Sequence, residues 1–169
     1  MSNKAWQNPA LSVSERVSAL ISEMTLEEKV GQLSSDWHEF DPFPVGSESS
    51  GDKATADNVP IFGDFSIPPT WEDASKDGLG HITRAFGTKP ATRGEGMQKI
   101  LKMQNDLLQK TRLKIPATAH EECLTGFTTL GATSFPTPLG LAATFDEGVI
   151  EDVTNVIGRD MRAVGIHHA

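Results

Sequence analysis

The sequence predicts an α/β chain, on three observations. A strand-like run, Gly78–Arg84, is followed by a helical pattern behind Thr92 and then by a second strand-like run, Ile115–Ala119. That strand–helix–strand order is the signature of a parallel βαβ unit. A last helix is clearly written, with Val149, Ile150, Val153, Val156, Ile157, Met161 and Val164 at helical spacing. Finally, His120, Glu121 and Glu122 stand directly after the second strand, at the strand end where α/β proteins place their sites.

The elements follow in order. Val13, Val17, Leu20, Ile21 and Met24 mark one face of a helix over 13–23. Thr25 and Glu28 form a capping box, in which hydroxyl and carboxylate each satisfy an amide left over at a helix start. Leu26, Val30 and Leu33 extend a second short helix, so residues 1–33 read as a helical segment built on a hairpin of helices. From 34 to 77 periodicity vanishes, and the stretch is rich in Ser, Asp, Gly and Pro, which reads as an irregular loop or insertion.

Residues 78–169 then carry the βα units. Gly78-Leu79-Gly80 is not a dinucleotide fingerprint, because the third glycine is missing from its position. Thr92 and Glu95 make another capping box, and Met97, Ile100, Leu101, Leu107 and Leu108 line the helix behind it, which ends near Thr111. The last helix is capped by Asp146 or Thr144 and closed by Gly165. Ile166–Ala169 reads as the opening of a further strand.

Composition narrows the function classes. The chain has 169 residues, enough for a real core but short of the roughly 250 of a closed eight-stranded α/β barrel. A net charge of −8 argues against nucleic acid, which needs clustered Lys and Arg. No window approaches the ~18 apolar residues of a membrane span. The N-terminal residues MSNKAWQNPALS lack a signal-peptide core, so a cytoplasmic protein is expected. Cys123 is the one cysteine, and no internal disulfide can form.

The ordered pieces MTLEEKVGQL, DGLGHITR, IPATAHEECLTGF and ATSFPTPLGLAATFDEGVIEDVTNVIGRDMRAVGI together resemble the family 3 glycoside hydrolases, among them β-glucosidases and β-xylosidases. The resemblance runs from about Val13 to Ala169. It implies a partial (β/α)8 TIM-type barrel, with DGLGHITR as its first strand and the first two to three βα units present. It also implies hydrolysis of terminal non-reducing β-linked glucosides or xylosides with retention, without a cofactor. In the family the aspartate nucleophile lies further on and the acid/base is supplied elsewhere, commonly by a second domain, so no catalytic residue is expected within this chain, and the chain alone is expected to be inactive. The implied partners are a β-linked glycoside or oligosaccharide, together with the remainder of the enzyme or a second copy. The other reading is a non-catalytic truncated module that binds sugar or associates with another chain.

One position carries over from the resemblance. Glu122 stands where the family keeps a carboxylate for sugar hydroxyls, and charge-assisted hydrogen bonds suit vicinal hydroxyls. His120 either bonds substrate, orients a carboxylate, or is a buried imidazole satisfied by backbone. Glu121 is read as a stabiliser of the barrel rim, because neighbouring side chains of an extended chain face opposite ways. Ser35-Asp36-Trp37 spells a tripeptide common around the family nucleophile, but its place in the chain argues for a surface loop or packing. No metal is expected from His120, Glu121, His167 and His168, because HEE is not HExxH. Cys123 reads as a small buried side chain.

Overall fold

A computed structural model describes residues 4–36, 70–87 and 91–169. After a 3-10 turn at Ala5–Gln7 come α1 (Val13–Glu23), α2 (Leu26–Leu33) and the two-residue strand β1 (Ser35–Asp36). Then follow α3 (Trp71–Ser75), β2 (His81–Thr83), α4 (Arg93–Lys110) and β3 (Thr118–His120). Helices α5 (Pro138–Ala142) and α6 (Glu147–Ala163) complete the order.

The helix starts are chemically specified. Ser12 with Glu15, Thr25 with Glu28 and Thr92 with Glu95 form complete capping boxes at α1, α2 and α4. Thr70 caps α3, and Thr137 caps α5 with Pro138 in its first turn. At α6 the cap is Asp146, whose side chain accepts the Gly148 amide.

The three strands form one parallel sheet in the order β1-β2-β3. Ile82 lies opposite Asp36 on one side and Ala119 on the other. The pairing continues past β3, where the Glu121 amide donates to the His168 carbonyl and His120 bridges His168 in parallel. Each strand therefore lies beside its predecessor in the chain, with α4 crossing between β2 and β3.

Two corrections follow. The sheet begins one strand earlier than DGLGHITR, because Ser35–Asp36 pairs with β2. Two residues carry no periodicity, and their pairing is a backbone matter that side-chain pattern does not report. The structureless reading of 34–77 gives way likewise at its edges, to β1 and α3. Residues 37–69, the body of that stretch, lie outside the described residues.

Helices cover one face of the sheet. Ile82 and Ala119 point toward them and are almost fully buried. Behind Ile82 pack Trp71, Leu79, Met103, Leu107 and Ala117. Behind Ala119 pack Phe86, Ile100, Phe127, Ile157 and Met161. The turn before β2 needs a small residue, because a Cβ on Gly80 would sit 2.0 Å from the Gln32 carbonyl oxygen at the end of α2. That approach lets the Gly80 amide donate to the Gly31 carbonyl at 2.9 Å.

The helical hairpin at the N-terminus does not form as a packed pair. The close contacts of α1 are with the 3-10 turn at Ala5–Gln7 rather than with α2. Its stripe is only partly covered, with Val13, Val17 and Ile21 exposed, Leu20 and Met24 half-buried and no residue of α1 buried. The amphipathic pattern was legible, but it does not mark a fully covered face.

Candidate functional site

The candidate site sits where β3 ends. Burial alternates through Thr118, Ala119, His120, Glu121 and Glu122, with Ala119 and Glu121 buried and the others half-buried. The period of two puts His120 and Glu122 on the face opposite the helices and Glu121 on the face toward them.

Glu121 is fully buried. One carboxylate oxygen, Oε2, accepts the backbone amides of Phe86 at 2.8 Å and Gly87 at 3.1 Å. The other, Oε1, accepts the Glu122 amide at 2.9 Å. Burying a carboxylate is costly unless its oxygens are bonded, and here three N–H groups converge on them. The connection after β2 is shaped to supply two of these. Arg84 turns the chain with a left-handed φ of 58°, and its guanidinium donates to the Gly87 carbonyl at 3.1 Å. A Cβ on Gly87 would stand 2.8 Å from Glu121 Oε1, so glycine allows the approach. The Glu121 carboxylate thus ties the end of β3 to the connection after β2.

Glu122 is held by its main chain only. Its carbonyl accepts both the amide and the hydroxyl of Thr128, at 3.3 and 2.9 Å. Among the described residues no donor reaches its carboxylate. The loop beyond it is closed on itself, with Phe135 donating to the Thr125 carbonyl at 2.7 Å and Gly126 at a φ of 113°. Phe127 meets Phe86 edge to face at 5.0 Å, joining this loop to the β2–α4 connection. A shallow cleft of about 330 Å³ runs between the two, past Phe86, Gly87, Thr128 and Ser134.

His120 has its Nδ1 buried with no hydrogen-bond partner among the described residues. Of the readings open for it, satisfaction of that nitrogen by backbone is therefore not what the structure shows. Its ring centroid lies 5.3 Å from that of His168, which in turn lies 6.4 Å from His81. The His167 Nδ1 is occupied, accepting the Ala119 amide at 3.0 Å. Among the described residues no three His, Cys, Asp or Glu side chains gather as a metal site. Burial pushes the Cys123 thiol up, and the neighbouring Glu122 and Glu121 carboxylates push it further. Of the tripeptide at 35–37, Ser35 and Asp36 lie in β1 and Trp37 is outside the described residues.

The Phe86–Gly87 amide pair was missed in the sequence. Backbone donors carry no residue signature, and the one trace was a glycine shortly after a strand.

The glycosyl hydrolase family 3 N-terminal domain matches residues 25–169. A periplasmic β-glucosidase/β-xylosidase of Dickeya chrysanthemi is 30% identical over 97% of this chain and 23% of its own length. The β-glucosidase C of Emericella nidulans is 31% identical over 97% of this chain and 24% of its own length. The chain thus spans just under a quarter of the length of these relatives. No helix among the described residues is long and apolar enough to cross a membrane. With the family's domain matched over all but its first 24 residues, the chain belongs to the glycosyl hydrolase family 3 N-terminal domain family.

Proposed function

We propose that this chain forms the opening strands of a (β/α)8 barrel in a retaining β-glycosidase, which acts on terminal non-reducing β-linked glucose or xylose. Glu122 and His120 take the sugar in this reading. The observation that carries it is the pair of open polar groups on one face at the end of β3. The Glu122 carboxylate meets no donor among the described residues, and the buried His120 Nδ1 has no partner there. A carboxylate accepts from vicinal hydroxyls, and an imidazole nitrogen accepts or donates as the sugar requires. The sequential parallel sheet supports the barrel, because each new strand is added beside the last.

In this reading the chain binds sugar and does not turn it over. Retaining hydrolysis uses two carboxyl groups about 5–5.5 Å apart across the scissile bond. Glu121 and Glu122 are unfit as that pair, because Glu121 is shut away from the open face and all its bonds are to amides. The reaction draws on carboxylates and water, with no cofactor.

The test is hydrolysis of aryl β-glucosides and β-xylosides by the full-length protein. Losing one partner of a charged hydrogen bond costs about 1.5–3 kcal/mol, so Glu122→Gln lowers kcat/KM roughly ten- to hundredfold. Labelling by a fluorinated glycoside persists in that variant. An unchanged kcat/KM contradicts the assignment.

Bare apolar surface favours a second reading, association with further protein. Val13, Leu26 and Leu33 are strongly exposed, as is Phe145. Sizing of the 169 residues decides it: dimers or larger species support association, and a monodisperse monomer contradicts it.

A further inference from the structure

Glu121 does more than fill a rim position. Its carboxylate is fully buried, no salt bridge reaches it among the described residues, and its three bonds come from backbone amides on two separate connections. Two of those amides belong to Phe86 and Gly87 after β2. The third belongs to Glu122. We infer that Glu121 is the positioning residue for Glu122, holding the Glu122 main chain against the β2–α4 connection so that its free carboxylate meets the sugar already oriented. This inference rests on the reading of Glu122 as a sugar contact.

The geometry explains why a carboxylate stands here rather than an amide. All three neighbours are donors, and an ionised carboxyl group only accepts. Glutamine has nearly the same shape but one accepting oxygen. If that oxygen faces the Phe86 and Gly87 amides, its NH₂ faces the Glu122 N–H, donor against donor. The link lost is then the one to the sugar-binding residue. With the Glu122 carbonyl separately held by Thr128, the wild-type residue is fixed at both peptide groups while its side chain stays open. A pre-set main chain has less freedom left to lose when sugar arrives.

The experiment compares the wild-type chain, Glu121→Gln and Glu122→Gln. Amide hydrogen exchange is read by NMR, and the affinity for methyl β-glucoside and methyl β-xyloside is read by titration. Ile157→Val, which trims the core behind the sheet, controls for simple loss of stability. The wild type protects the amides of Phe86, Gly87 and Glu122. In Glu121→Gln the Glu122 amide exchanges freely while Ala119 stays protected, and sugar binds about tenfold more weakly, because the loosened Glu122 segment has to be ordered on binding. Ile157→Val lowers the melting temperature and leaves affinity unchanged.

An unprotected Glu122 amide in the wild type overturns the inference, and it does so even if Glu121→Gln fails to fold. Unchanged Glu122 exchange in Glu121→Gln overturns it as well, as does freed exchange with undiminished affinity. If instead the wild type binds no sugar, or Glu122→Gln binds it as the wild type does, the sugar-contact reading has failed. The exchange arm then still decides whether Glu121 holds Glu122.

Discussion

Glu28 and Arg112 stand 84 residues apart and meet through two bonds of one carboxylate with one guanidinium. Arg112 Nε donates to Glu28 Oε1 at 2.8 Å, and its Nη2 also reaches the Glu23 carbonyl at 2.7 Å. Glu28 at the same time closes the capping box of α2 by accepting the Thr25 amide at 2.9 Å. One buried carboxylate thus starts a helix and ties it to the turn after α4.

The Arg112 bond, helped by the Thr25 amide, holds the Glu28 carboxyl below the usual carboxylate range against the opposing effect of its burial. A carboxyl group whose folded pKa is lowered stabilises the fold above its unfolded value, about 4.3 for Glu. That contribution disappears as pH falls through the folded value. The denaturation midpoint of the wild type therefore exceeds that of Glu28→Gln at pH 7, and the gap is smaller at pH ~3.5, below the unfolded value. The gap is modest and shrinks with salt, because the Arg112 side chain is half exposed. Urea titrations at the two pH values check this.

Two glycines respond oppositely to alanine. In α4 a Cβ on Gly96 would lie 2.0 Å from the Phe86 ring. Overpacking costs about 1–3 kcal/mol, against about 1 kcal/mol gained in helix propensity, so Gly96→Ala is net destabilising. In α6 a Cβ on Gly158 meets nothing within 4 Å, so Gly158→Ala stabilises by up to about 1 kcal/mol. Thermal melts check both, with about 2–4 °C expected per kcal/mol in a chain of this size.

Cys123 remains a thiol through the neutral range, because burial and the two carboxylates beside it raise its pKa. Only the thiolate reacts, so alkylation by iodoacetamide at pH 7.5 runs slower than for a free cysteine. Glu122→Gln removes one of the two charges and speeds the reaction. Mass spectrometry of timed quenches measures both rates.

Much of the fold was legible because helix starts are written in short-range chemistry. Thr25 with Glu28 and Thr92 with Glu95 marked α2 and α4. Ser12 with Glu15 carries the same signal at α1 and was passed over. The parallel pair of strands was legible from the order of elements, though pairing begins three residues later than the apolar runs. Before Thr118 the backbone of Ala117 is taken up by the Gln104 side chain rather than by a strand, and Gly80 gives its amide to the end of α2. Strand β1 was illegible, since two residues hold no period.

At the site, alternation separated Glu121 from Glu122, and the structure keeps them on opposite faces. The partners of Glu121 were out of reach of the sequence, because they are main-chain amides brought in by a left-handed turn at Arg84. The unpartnered His120 nitrogen was equally hidden, since it depends on which neighbours the sheet brings beside that ring.

The most direct test of the central claim is a crystal structure of the chain soaked in glucose or xylose. The account predicts one sugar at the end of β3, with hydroxyls within about 3 Å of the Glu122 carboxylate and the His120 Nδ1, the distance of a hydrogen bond. A sugar bound elsewhere, with Glu122 turned to a protein donor instead, contradicts it.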